Sequence, residues 1–155
     1  MFPKVKKVIT KYNSADRDER YRYQCPIVMR YLENKLQGWN IGIFFEQIKA
    51  RKIALYAVTE FTEYVLRDLQ VSASKVDVIC IGDRNYSRFP QGVYGKKVVS
   101  VEEIFERYRL GGIDKIVICS LFHENIILED FMKRGVRQED LIPVTSAIFS
   151  FDIFK

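Results

Sequence analysis

Three short runs constrain this chain more than any other feature. They are Ile53-Ala-Leu-Tyr-Ala-Val58, Val76-Asp-Val-Ile-Cys-Ile81 and Asp114-Lys-Ile-Val-Ile-Cys119. Each is apolar at successive rather than alternate positions, so each needs cover on both faces, as a strand inside a parallel sheet does. Lys97-Val-Val99 and Leu141-Ile142 read as two shorter strands. Helical stretches fall between them. Glu60 to Leu69 places Phe61, Val65, Leu66 and Leu69 on one side. Ser100-Val-Glu-Glu103 matches a capping box and opens a helix to about Arg109, ended by Gly111-Gly112. Glu124 to Arg134 is a helix stopped by Gly135.

Strand and helix thus alternate across about 90 residues with short connections, which implies right-handed crossovers and a single sheet. The expected class is α/β: a Rossmann-like three-layer sandwich with a mainly parallel five-stranded sheet in the order 3-2-1-4-5. The same elements also fit a flavodoxin-like order. Ahead of the sheet, Pro26 can open a helix carrying Ile27, Val28, Tyr31, Leu32 and Leu36, with Gly38 as its stop. Ile41, Phe44, Phe45 and Ile48 share one face of a second stretch. The expected division is a basic, partly ordered leader over 1–24, a helical extension over 25–50 and the Rossmann-like domain over 51–155. The tail from Ala147 to Phe154 is very apolar for its position and is expected to pack on the domain or on a partner.

Composition narrows the class further. The chain is 48% hydrophobic and 29% charged, enough to bury a core without disulfides. No apolar run approaches the roughly 18 residues of a membrane span. The first residues carry charges with no apolar segment behind them, so a secretory signal is not expected and a cytoplasmic location is. Cys25, Cys80 and Cys119 are an odd, widely spaced set that suits neither a disulfide framework nor a zinc site. The net charge of +5 is concentrated in residues 1–24, where seven basic residues face three acidic ones. Such an arm attracts nucleic acid or anionic lipid when it binds anything, but no nucleic-acid motif accompanies it.

In an open parallel sheet, ligands bind outside the carboxyl ends of the strands where the order reverses. That edge consists here of Ala57-Val-Thr-Glu-Phe-Thr62, Gly82-Asp-Arg-Asn85 and Ser120-Leu-Phe-His-Glu124. The candidate ligand-binding residues are Ala57, Val58, Thr59, Glu60, Thr62, Asp83, Arg84, Ser120 and His123. The hydroxyls of Thr59 and Thr62 and the first helical amides are possible phosphate donors. Glu60 suits the helix dipole but would repel a phosphate. Asp83 is either an acceptor for ribose hydroxyls or a turn residue capping local amides. Arg84 and Arg88 are candidate phosphate partners. His123 lies near Ser120 and Glu124, but so local a trio rarely has the geometry of a triad. With no second histidine or cysteine close by, a metal site is not expected.

The segments 52–62, 78–85 and 114–120 resemble Rossmann-like domains of bacterial surface-polysaccharide proteins. These include the nucleotide-sugar-binding N-terminal domain of sugar acyltransferases and the nucleotide-binding domain of sugar dehydratases and epimerases. The resemblance spans about residues 40–145. It implies a nucleotide or nucleotide-sugar ligand, a glycine turn at positions 57, 59 and 62, and an acidic residue at 83 near the ribose or base. This chain carries Ala57, Thr59 and Thr62 at the glycine positions. A β-branched Thr59 would stand where phosphate oxygens lie, which argues against a dinucleotide in the usual pose.

Three functions remain as expectations. The first is a nucleotide or nucleotide-sugar-binding module of surface polysaccharide biosynthesis without its own catalysis; NAD(P) is another conceivable ligand. No hexapeptide repeats of an acyltransferase half follow residue 145. The second is a non-catalytic interaction module that has lost its ligand, assembling as a homo-oligomer or on a partner protein through the N-terminal helices and C-terminal tail. The third is a small oxidoreductase or epimerase, which would need a bound dinucleotide and an acid–base pair.

Overall fold

The computed structural model describes residues 18–152. Most of the leader and the last three residues lie outside that range. Five strands form one fully parallel sheet: β1 (Lys52–Tyr56), β2 (Asp77–Gly82), β3 (Val98–Val99), β4 (Lys115–Ile118) and β5 (Leu141–Pro143). Their order is 3-2-1-4-5, the Rossmann-like order and not the flavodoxin-like one. The helices are α1 (Asp18–Leu36), α2 (Ile41–Gln47), α3 (Glu60–Val71), α4 (Val101–Arg109), α5 (Glu124–Lys133) and α6 (Val144–Phe149).

Two apolar layers lie on opposite faces of the sheet, as the successive apolar residues inside β1, β2 and β4 require. Ile53, Leu55, Val117 and Cys119 point to one face, against Ile27, Phe45, Phe61, Val65 and Ile148 from α1, α2, α3 and α6. Ala54, Cys80, Ile116 and Ile118 point to the other, against Ile104, Phe105 and Phe131 from α4 and α5. Gly82 ends β2 beside that second layer. A Cβ there would come within 2.0 Å of Ile104 Cδ1, so any side chain at this position would force Ile104 to shift in the packed layer between β2 and α4.

The N-terminal helix differs from its expected form. It begins at Asp18, eight residues before Pro26, which lies inside it. Pro26 is exposed, so the carbonyl that loses its donor can turn to water. Residues 18–24, assigned to the leader from sequence, are therefore helical. The tail packs back on the domain: Ala147 and Ile148 are buried, and the buried Asn34 of α1 donates to Ile148 O at 2.6 Å. Arg30 of α1 donates to Phe151 O and lies 5.2 Å from the Phe149 ring centroid. Asp68 of α3 completes this corner. It is 5% exposed and accepts from Tyr31 Oη at 2.6 Å, Ile41 N at 3.0 Å and Lys35 Nζ. One carboxylate thereby fixes α1, α2 and α3 together. Among the described residues, no helix is long and apolar enough to cross a membrane.

Candidate functional site

The reversal point lies between β1 and β4, and a crevice of about 830 Å³ opens at the carboxyl ends of β1, β2 and β4. Seven of the nine candidate residues line it: Ala57, Val58, Thr59, Asp83, Arg84, Ser120 and His123. Glu60 and Thr62 do not, and Thr62 is fully buried. Arg88, on a short 3₁₀ turn (Tyr86–Arg88), is exposed and outside the crevice.

The turn after β1 keeps the shape of a glycine turn without its glycines. Ala57 has φ +78°, the left-handed region that glycine occupies freely and alanine does not. Hydrogen bonds hold it there. Ala57 N donates to Gly82 O at 2.8 Å, and the Thr62 hydroxyl donates to Ala57 O at 2.5 Å. Val58 N donates to Asp83 Oδ2 at 2.8 Å. The Thr59 side chain turns back over the helix start instead of projecting toward a ligand. Thr59 and Thr62 cap α3 reciprocally, Thr59 N meeting Thr62 Oγ1 at 3.2 Å and Thr62 N meeting Thr59 Oγ1 at 3.4 Å. The Thr59 hydroxyl also donates to Cys119 O at 2.8 Å, tying the turn to the end of β4. The threonines thus form the capping box of α3, and neither hydroxyl has a proton left for a phosphate. At α4 the box expected from sequence is only half formed. Ser100 Oγ accepts from Glu103 N at 3.2 Å, while the Glu103 carboxylate turns to Arg107 and Lys97.

Asp83 joins the first two turns of the edge. Its Oδ2 takes the Val58 amide and its Oδ1 takes Asn85 N at 2.7 Å. This is the capping role weighed from sequence, extended across to β1. The carboxylate occupies the loop amide that would otherwise face an incoming anion.

The turn after β4 is different. Among the described residues, neither Ser120 Oγ nor the His123 imidazole makes a hydrogen bond; His123 lies edge-on to Phe122 at 5.4 Å. Glu124 does not complete a triad. Both its oxygens accept from the Thr145 hydroxyl at 2.9 Å, and burial raises its carboxyl pKa above the ordinary 4.5.

Several lining residues were not singled out from sequence. Arg20 reaches the crevice from α1, a consequence of the helix beginning earlier than Pro26. Ile126 and Asp130 come from α5 and Arg134 caps its end, and their i, i+4 spacing is the sequence signal that one face of α5 looks onto this edge. Arg134 pairs with Asp130 at 3.3 Å and with Glu102 at 3.8 Å. Arg20 and Arg84 have no ion pair among the described residues. Tyr56, at the end of β1, also lines the crevice. Burial, reinforced by Asp83 and Asp130 and opposed by Arg84 and Arg134, raises its pKa, so it is a neutral hydrogen-bonding group at physiological pH. The chain does contain one Tyr-x-x-x-Lys spacing, Tyr31 and Lys35. Both residues bind Asp68 and neither lines the crevice, and burial with the Asp68 contact pushes the Tyr31 hydroxyl far up. That pair serves packing rather than proton transfer.

No family model matches this chain, and no curated protein matches it in sequence.

Proposed function

We propose that the chain binds a nucleotide or nucleotide-sugar in the crevice without transforming it, as a module of surface polysaccharide biosynthesis. One observation carries the binding part: Arg20 and Arg84 line a space of about 830 Å³ with no ion pair among the described residues, beside Ser120 and His123, whose side chains make no hydrogen bond among those residues. Uncommitted cations in a concave, partly apolar site favour a ligand with anionic groups. Arg84 and Arg20 would take the role that loop amides have in a glycine-turn site, because those of residues 57–59 already have acceptors. The sugar-nucleotide class and the pathway rest on the resemblance of residues 52–62, 78–85 and 114–120.

A thermal-shift series with UDP-sugars, free nucleotides, NAD(H), NADP(H) and acyl-CoA tests the proposal. A ligand at a hundred times its Kd stabilises by about 2.7 kcal/mol, which at this chain length is several degrees. Nucleotide-sugars should raise the melting temperature in a concentration-dependent way. No shift with any nucleotide at millimolar concentration would refute the proposal. The amides engaged within 57–59 favour the second reading in that event: an interaction module that keeps the fold and has no ligand.

A further inference from the structure

Helix α1 has two apolar sides, and among the described residues only one is covered. Its inner side carries Ile27 and Asn34 into the domain. On the opposite side Cys25, Met29, Leu32 and Leu36 follow at intervals of four, three and four residues, the spacing of a two-helix seam. Met29, Leu32 and Leu36 are 62%, 56% and 79% exposed, and Val28 beside them is 39% exposed. A helix apolar on both sides belongs where both sides are covered. The stripe exposes on the order of 400 Å², the size of the largest apolar patch on a typical monomer, which is often functional. It supplies about half of the roughly 800 Å² per partner of a standard interface, and the polar flanks of the same helix can supply the rest.

The charges beside the stripe fix who the partner is and how it runs. Arg22 and Glu33 lie on the same flank, both are exposed, and neither has an ion pair among the described residues. In an antiparallel pair related by a two-fold axis, each flank meets its own counterpart in the opposite direction. Arg22 of each copy then comes beside Glu33 of the other, twice per pair. In a parallel pair each flank would instead meet the opposite flank of the other copy, so Arg22 and Glu33 would not be brought together. We infer that this chain forms a two-fold symmetric homodimer through antiparallel pairing of α1 along the stripe from Cys25 to Leu36. The axis passes close to Val28, so Leu36 covers the first turns of the other copy. The two Cys25 residues stay farther apart than the roughly 7 Å between Cα atoms that a disulfide allows.

Sedimentation equilibrium of the full chain is the test. The wild type is expected to sediment at twice its 18.3 kDa mass at micromolar concentration. Leu32→Glu should raise the dimer Kd about a hundredfold or more. Its circular dichroism should be unchanged, since Leu32 contacts solvent in the single chain. Arg22→Glu and Glu33→Arg should each weaken the dimer several-fold at low salt, and the double variant should restore it. A wild type that stays monomeric up to about 100 μM, a dimer that survives Leu32→Glu, a double variant no better than its parents, or ready oxidation to a Cys25–Cys25 disulfide would each overturn the inference.

Discussion

The turns after β1 and after β4 stand side by side at the carboxyl edge of one sheet, yet their polar groups have different fates. In the first, the amides of Ala57, Val58 and Thr59 and the hydroxyls of Thr59 and Thr62 all bind other atoms of the protein. In the second, Ser120 and His123 face the crevice with no hydrogen bond among the described residues. The two turns are linked, because the Thr59 hydroxyl donates to Cys119 O immediately before Ser120. A hydrogen-bonding group committed to the fold is lost to recognition, so under the proposed function recognition would fall to side chains from α1, from the turn after β2 and from the turn after β4 rather than to the backbone of the first turn.

This contrast can be broken from the closed side. Thr62→Val keeps the volume but removes the hydroxyl that serves Ala57 O and Thr59 N inside a buried site, and should cost about 2–3 kcal/mol in urea unfolding. Asp83→Ala frees the Val58 and Asn85 amides at a less buried position and should cost about 1–2 kcal/mol. If Thr62→Val is as stable as the wild type, the turn is not held by that hydroxyl and the contrast fails. Ala57→Gly tests the same turn in the opposite sense. It relieves a left-handed alanine while adding freedom to the unfolded chain, for a net gain of about 0.5–1 kcal/mol.

Smaller effects sharpen the open side. Burial raises the Glu124 carboxyl above its ordinary 4.5, so the folded protein holds that proton to higher pH than the unfolded chain does. The stability tied to the neutral acid is complete below about pH 4.5 and is lost as the pH rises through the folded value. Glu124→Gln should therefore gain on the wild type as the pH rises from 4 toward 7, by less than about 1 kcal/mol because solvent still reaches the group. An advantage that shrinks over that range would contradict the assigned direction. Ser120→Ala with His123→Ala should leave stability within about 0.5 kcal/mol and should weaken any shift produced by a nucleotide ligand.

The sheet was legible because runs such as Ile53 to Val58 and Asp114 to Cys119 allow no placement other than a strand covered on both faces. Their ends were less so. β1 stops at Tyr56 rather than Val58 because Ala57 turns into a positive-φ conformation. Propensity gives no hint of that, since it depends on partners distant in sequence, Gly82 and Asp83. The start of α1 was misread because Pro26 resembles a first-turn residue, and an exposed proline inside a helix carries no local mark of its position. The substituted glycines pointed to the right turn, but their hydroxyls read as possible ligand contacts. That they cap α3 and reach Cys119 depends on side-chain direction, which spacing does not encode. Arg20, Asp130 and Arg134 enter the site from helices whose relation to the edge is tertiary.

The central claim is that recognition in this crevice belongs to side-chain cations and not to the turn. Calorimetric titration of UDP-N-acetylglucosamine into the wild type and into Arg84→Ala tests it most directly. Arg84 is exposed and without an ion pair among the described residues, so its removal should leave the unliganded melting temperature unchanged. The wild type should bind saturably, and Arg84→Ala should lose about tenfold or more in affinity, as the loss of one charge-assisted contact implies. Equal affinity in the two proteins, or no heat from either at millimolar nucleotide-sugar, would contradict the account.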